Sequence, residues 1–196
     1  MYSKGLTADE IIRRFNLKPL PAEGGMWVQT YRSSDVILAE ALPQRYPRFA
    51  KSMCNAILYL LTSGSFSALH RNATDEIYHF CLGDPIEMLL LYPDGSSQRT
   101  ILGQDILHDQ QVQFTVPHGV WQGSHLLPGG RFGFCGSSMA PAFSETDWEG
   151  GDREELLAKY PKEAELITQL THQHTVKRMD KLEWPNMKRL NVQSGN

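Results

Sequence analysis

The densest run of chemically capable side chains lies around His70 and Glu76. His70 and Asn72 are two residues apart, so on a strand their side chains point to the same side. A short turn then returns the chain to Glu76, with Tyr78 and Phe80 on the same face of the next strand. An imidazole, an amide and a carboxylate are costly to bury together unless a metal ion, water or a polar ligand satisfies them. The pattern therefore predicts a binding pocket with His70 and Glu76 as its catalytic or functional centre.

A second amide is expected at the same pocket. Gln122 opens a predicted strand just after Gly119, which favours a tight turn. Imidazole and carboxylate suit divalent transition metals, and an amide oxygen is a weaker donor, so His70, Glu76 and Gln122 form a candidate site for a weakly bound divalent metal ion. The same groups can instead hydrogen-bond an organic ligand, with His70 as general base and Tyr78 or Tyr31 as acid. A third alternative is structural, in which His70 and Glu76 only satisfy each other.

Short strands must hold these side chains, and the sequence predicts a series of them. The runs alternate apolar and polar residues and are separated by turn residues such as Pro93-Asp94-Gly95. Many short strands with few helices between them favour an antiparallel sandwich or barrel and exclude a doubly wound nucleotide-binding sheet. A capping box at Thr7 and Glu10 begins an N-terminal helix, and Asp152 begins a C-terminal helix. The predicted strands are 26–31, 56–61, 65–70, 76–81, 86–92, 112–116, 121–126 and 132–138.

At the first polar cluster the sequence resembles the cupin superfamily. The first cupin motif contains, in this order, a glycine, two histidines separated by one residue, a glutamate and a second glycine. Gly64, His70, Glu76 and Gly83 fall at the matching spacings, and Asn72 stands where the second histidine is expected. The second cupin motif contains a proline, a glycine and a histidine. This sequence has Pro117 and Gly119 at the first two positions and the amide side chain of Gln122 at the histidine position. Two of the usual four metal-ligand types are therefore kept, and both replacements are amides.

Flanking segments are similar to one branch of RmlC-like jelly-roll cupins, originally catalogued as a domain of unknown function. The resemblance implies an all-β double-stranded β-helix with a pocket, usually as a homodimer. Taken with the strand alternation, it predicts ligand-binding roles for Asn72, Tyr78, Phe80 and Gln122. It leaves several functions open. The protein binds a polar ligand, such as a carbohydrate or nucleotide sugar, with epimerase-like or isomerase-like acid–base chemistry; or it is a metal-dependent dioxygenase or isomerase; or it is a non-catalytic sensor. The segments are 23–25, 30–33, 75–80, 83–85, 117–122 and 140–143.

Length and composition restrict the remaining possibilities. The 196 residues, with 41% hydrophobic and 21% charged side chains, suit one cupin domain over residues 1–171 with a basic C-terminal extension over 172–196. A net charge of -3 gives no general attraction to nucleic acid, and no apolar run approaches the roughly 20 residues of a membrane span. Three cysteines, which cannot all pair, suit a reducing compartment. We therefore expect a cytoplasmic protein with no nucleic-acid or membrane partner, and the cupin resemblance implies in addition a homodimer with a small-molecule ligand.

Overall fold

The computed structural model describes residues 5–46 and 48–178. In chain order the strands are β1 (Lys18–Pro19), β2 (Met26–Arg32), β3 (Val36–Ile37), β4 (Lys51–Ser52), β5 (Asn55–Thr62), β6 (Phe66–Asn72), β7 (Glu76–Gly83), β8 (Ile86–Leu91), β9 (Ser97–Leu102), β10 (Gln113–Val116), β11 (Trp121–Leu126), β12 (Phe132–Met139) and β13 (Trp148–Gly150). The helices are α1 (Ala8–Phe15), α2 (Arg153–Lys159) and α3 (Ala164–Gln169).

The strands form two antiparallel sheets whose inner faces enclose the core. One sheet has the order β1-β2-β5-β12-β7-β10 and the other β13-β6-β11-β8-β9, while β3 and β4 pair separately. Inward-facing apolar residues of both sheets meet in one buried cluster, which includes Leu61, Phe80, Met88, Leu90 and Cys135. The predicted all-β jelly-roll sandwich with a helix near each end of the described chain is confirmed.

Each predicted strand is present, with ends displaced by at most two residues. The prediction missed β9, whose sequence Ser97–Leu102 is polar and mostly exposed along its first half, as is typical of an edge strand. It also missed four short strands, β1, β3, β4 and β13. The predicted C-terminal helix is in fact two helices, because Pro161 follows α2 and starts a 3₁₀ turn before α3.

The first part of the basic extension packs against the domain. The backbone N–H of Gly150 donates to Lys177 O at 3.2 Å, and Thr175 Oγ1 donates to Gly151 O at 3.3 Å. Residues 172–178 therefore lie beside β13, next to the strand that carries His70. The rest of the predicted extension, 179–196, lies outside the described residues. No helix in the described part of the chain is long and apolar enough to span a membrane.

Candidate functional site

The strand register brings the predicted site residues to the space between the two sheets. Glu76 and Tyr78 of β7 lie opposite Met139 and Ser137 of β12. On the other sheet, His70 of β6 is the register partner of Gln122 of β11. Paired residues on antiparallel strands face the same side, so this register gathers polar groups from distant parts of the chain.

Glu76 is held in place by three side-chain donors. Asn72 Nδ2 donates to its Oε2 at 3.2 Å and Gln122 Nε2 to the same oxygen at 2.8 Å. Ser137 Oγ donates to Oε1 at 2.5 Å. Glu76 is 6% exposed. Two different sheets thus fix one buried carboxylate, and the amide oxygens, Asn72 Oδ1 and Gln122 Oε1, remain buried without a hydrogen-bond partner among the described residues.

His70 faces a different carboxylate, that of Glu23. The imidazole is 1% exposed, and its Nδ1 lies 2.7 Å from the carbonyl oxygen of Ala68, to which it donates. Nε2 then points toward Glu23 Oε2, 3.7 Å away. The ring also stacks on Trp148, with centroids 5.8 Å apart and planes 18° from parallel. This packing orients His70 and makes it the partner of Glu23.

A tight turn before β2 delivers Glu23 to the cavity. Gly24 and Gly25 have φ values of 95° and 70°, which side-chain-bearing residues rarely adopt. A Cβ atom on Gly24 would lie 2.4 Å from Phe66 O, and one on Gly25 would lie 2.6 Å from the Tyr59 hydroxyl. The two glycines let the turn approach β5 and β6 closely enough for Glu23 to enter the space between the sheets.

The surroundings of Glu23 favour its protonated form. Burial is the main cause that raises the pKa of Glu23, and the nearby charge of Glu76 raises it further, whereas the His70 charge lowers it. The Ser67 hydroxyl, which donates to Glu23 Oε1 at 3.0 Å, also lowers this pKa. Trp148 lowers it too, although its indole N–H falls short of regular hydrogen-bond geometry. Glu23 is therefore a carboxyl group that holds its proton to a higher pH than an exposed glutamate.

Two buried tyrosines stay protonated beside this carboxyl group. Burial raises the pKa of Tyr59 and of Tyr78 well above the ordinary value, and the neighbouring carboxylates Glu23 and Glu76 raise both further. The Tyr59 hydroxyl donates to Gly24 O at 2.9 Å, which helps to hold the turn. Tyr78 makes no hydrogen bond of its own within the described residues, so its hydroxyl remains free to contact a ligand.

A cavity of about 40 Å³ opens between the sheets at this point, enough for several water molecules or a small polar group. Its polar and apolar walls are lined by Leu20, Glu23, Trp27, Gln29, Asn55, Ile57, Tyr59, Asn72, Glu76, Tyr78, Ser137, Met139 and Phe143.

The predicted residues divide into those that line the cavity and those that lie behind it. Asn72, Glu76 and Tyr78 line the cavity wall. His70 and Gln122 contact the lining carboxylates from behind. Phe80 is on the same strand face but packs in the apolar core, and Tyr31, the alternative acid, is 55% exposed.

Sequence reasoning missed Glu23 and Ser137 as site residues. Glu23 lies in a segment that is similar to the cupin branch, but its spacing from His70 gives no local sign that the two meet. Ser137 sits in an apolar, glycine-rich strand, and only the pairing of β12 with β7 places it on Glu76. Both contacts join residues that are more than forty positions apart, which periodicity within one strand does not reveal.

The donor set does not fit the four-ligand metal centre of the cupin motifs. No group of three or more His, Cys, Asp or Glu side chains within the described residues is placed to hold a metal ion. The amide groups of Asn72 and Gln122 turn their N–H groups, not their oxygens, toward Glu76. A metal site at His70, Glu76 and Gln122 stays a prediction, and we derive no chemical step through a metal ion.

Comparisons with known proteins agree with the fold and the motifs. The chain is 30% identical over 155 residues to the uncharacterized protein YML079W of Saccharomyces cerevisiae, covering 74% of this chain and 77% of the yeast protein. The crystal structure of protein SO0799 from Shewanella oneidensis is similar with a TM-score of 0.76 and 28% identity, covering 86% of this chain and 99% of that one. A hypothetical protein from Leishmania major gives the same TM-score at 24% identity, with 86% and 100% coverage, and supports the fold alone.

The family assignment rests on most of the chain. A family model described as the cupin superfamily (DUF985) matches residues 9–150, which include β1 to β13 and the cavity. Together with the jelly-roll topology and the positions of His70 and Glu76, this match shows that the chain belongs to the cupin superfamily, in its DUF985 family.

Proposed function

We propose that this cupin binds a small polar molecule in the cavity and moves a proton on it, with Glu23 as the acid–base group. The observation that carries the proposal is a carboxyl group of raised pKa on the cavity wall, backed by a buried imidazole at 3.7 Å. A carboxyl group with a shifted pKa on the wall of a cleft, beside a charged or polar partner, is typical of acid–base sites. The activity is of the isomerase or epimerase type, in which a proton leaves a carbon of the substrate and returns to a neighbouring carbon or to the opposite face of the same carbon.

Glu23 and His70 divide this work by position. Glu23 lines the cavity and reaches the ligand, whereas His70 touches Glu23 from behind. The hydrogen bond to Ala68 O places a proton of His70 on Nδ1, so Nε2 is the nitrogen that faces Glu23. His70 is thus a positioning residue that tunes the protonation of Glu23.

Glu76 and Tyr78 supply binding groups to the same ligand. Glu76 is a fixed acceptor, because three donors hold its carboxylate in one orientation. Tyr78 offers a neutral hydroxyl that donates, since its raised pKa keeps the proton in place. A rigid acceptor and a rigid donor orient a small ligand against Glu23 at little entropic cost.

The proposal is tested by proton exchange with solvent. The protein is incubated in deuterium oxide with a panel of the smallest hydroxy-carbonyl compounds, such as glycolaldehyde and dihydroxyacetone, and their amino analogues, and deuterium at carbon is followed by NMR. We expect exchange with at least one compound class, reduced at least a hundredfold in Glu23→Gln and at least tenfold in Tyr78→Phe.

An exposed glutamate provides the matched control. Glu154 lies in the first turn of α2, and Glu154→Gln removes the same charge without touching the cavity, so exchange should stay at the parent level. A parent protein that exchanges none of the compounds, or exchange that persists in Glu23→Gln, contradicts the proposal.

A further inference from the structure

The cavity wall carries two carboxyl groups and, within the described chain, no lysine or arginine. The carboxyl groups are those of Glu23 and Glu76. The charged groups close enough to influence Glu23 are His70 and Glu76. His70 pairs with Glu23, whereas the three neutral donors on Glu76 satisfy its oxygens without cancelling its charge. One negative charge therefore remains uncompensated in a buried place.

The neighbouring basic side chains, Lys51 and Arg32, bind other groups. Lys51 is fully buried in an ion pair with Asp147. Arg32 donates to Ser52 Oγ and to Phe143 O, each at 3.2 Å, and so sits at the rim beside a lining residue. A buried charge without a partner is unfavourable, and a cationic ligand would remove that penalty.

The buried groups around Glu76 that lack partners are acceptors. Asn72 and Gln122 are 6% and 2% exposed, and each uses its N–H group on Glu76. Their oxygens, Asn72 Oδ1 and Gln122 Oε1, have no partner among the described residues. An unsatisfied buried acceptor costs about 1–3 kcal/mol. Asn72 lines the cavity, so a ligand with several N–H donors can satisfy it.

Aromatic rings complete the environment of a cation. Trp27, Tyr59, Tyr78 and Phe143 all line the same small space. Aromatic faces attract ammonium groups, and most strongly where water is excluded. The aromatic rings of the wall therefore favour a positively charged ligand, as the Glu76 carboxylate does.

We propose that the ligand is a small protonated amine whose ammonium group lies beside Glu76 and donates to the oxygen of Asn72. This inference rests on the proposed function, since it names the substrate class of the same cavity. It narrows that class to molecules that combine a cationic amine with few other heavy atoms, because the cavity is only about 40 Å³. It disfavours phosphate-bearing ligands, such as nucleotide sugars, because a phosphate anion would enter beside the buried Glu76 carboxylate.

Three probes of nearly equal size show whether binding depends on the charge of the ligand or only on its polarity. Ethanolamine, ethylene glycol and glycolate each keep one hydroxymethyl group and differ in an ammonium, a hydroxyl or a carboxylate. Their binding to the full chain is measured at neutral pH by NMR titration, followed on the tryptophan indole N–H signals. We expect ethanolamine to bind at least tenfold more tightly than ethylene glycol, and glycolate not to bind.

Two variants identify the groups responsible. In Glu76→Gln the preference for ethanolamine over ethylene glycol should fall to threefold or less, while Glu154→Gln keeps the parent preference. If Glu76→Gln does not fold, Asn72→Leu, which removes the free acceptor, should weaken ethanolamine at least fivefold. Equal binding of ethanolamine and ethylene glycol, binding of glycolate, binding of none of the probes, or a preference unchanged in these variants overturns the inference. The proposed function fails separately, through loss of deuterium exchange or its insensitivity to Glu23→Gln.

Discussion

Replacing Glu23 by glutamine should make the protein more stable at neutral pH, and increasingly so as the pH rises. In the folded protein burial raises the pKa of Glu23 above its ordinary value of 4.5, with a further contribution from Glu76 and opposition from His70. Glu23 therefore binds its proton more tightly in the folded than in the unfolded chain. The free-energy cost of ionising Glu23 in the fold is absent at a pH below the pKa of Glu23 in the unfolded chain. It grows with pH until the pH passes the pKa of Glu23 in the folded protein. Glutamine keeps the shape and the hydrogen bond from Ser67 but has no charge to bury.

The size of the effect follows from linkage. One pKa unit corresponds to about 1.4 kcal/mol, so the free energy of unfolding of Glu23→Gln relative to the parent should rise by about 1.4 kcal/mol per pH unit across that window and then level off. Urea unfolding at pH 5, 6, 7 and 8 measures this difference. Repeating the series with His70→Gln in both proteins removes the imidazole from the comparison. Glu154→Gln, whose carboxylate is exposed, should show no such slope.

A stability difference that stays flat from pH 5 to 8 in both backgrounds would refute the reasoning, because it would mean that Glu23 ionises as easily in the fold as in the unfolded chain. A difference of opposite sign would mean that the charged form is favoured, and Glu23 would then be unsuited as a proton donor at neutral pH.

Four further predictions concern the frame of the site. Lys51→Met should lower the free energy of unfolding, measured in urea, by about 3–5 kcal/mol, because it leaves the buried Asp147 carboxylate without its ion-pair partner. Adding Asp147→Leu should restore most of this loss. Gly25→Ala should cost more than the roughly 1–2 kcal/mol of the left-handed conformation alone, since its Cβ meets a tyrosine hydroxyl; Gly129→Ala, at a φ of 84° with open space around it, should show the conformational cost only. Purified protein should contain less than one equivalent of divalent metal, and chelator treatment should leave the melting temperature unchanged; a full equivalent that Glu76→Gln abolishes would support the metal alternative instead. The homodimer expected for this family should give twice the monomer mass by light scattering at micromolar concentration, and a monomer mass would contradict it.

Much of the fold could be predicted from local chemistry. The capping box at Thr7, the alternation in runs such as Trp121–Leu126, and turns at Pro93-Asp94-Gly95 depend on neighbouring residues, so the sequence shows them directly. The same holds for the side chains that share one face of one strand, such as Glu76 and Tyr78. Strand β9 was missed because an exposed edge strand has no apolar face to give it a period of two.

The partners of those side chains depended on tertiary structure. His70 and Glu76 are close in the sequence, and their spacing suggested a single functional pair. In the fold, His70 instead faces Glu23, which reaches it through a turn that two glycines allow. Glu76 accepts hydrogen bonds from Asn72, Gln122 and Ser137. Sequence determined which residues face inward, because strand geometry has a period of two. Only the register between strands, set by packing over the whole core, decided which inward groups meet and which carboxyl group lines the cavity with a raised pKa.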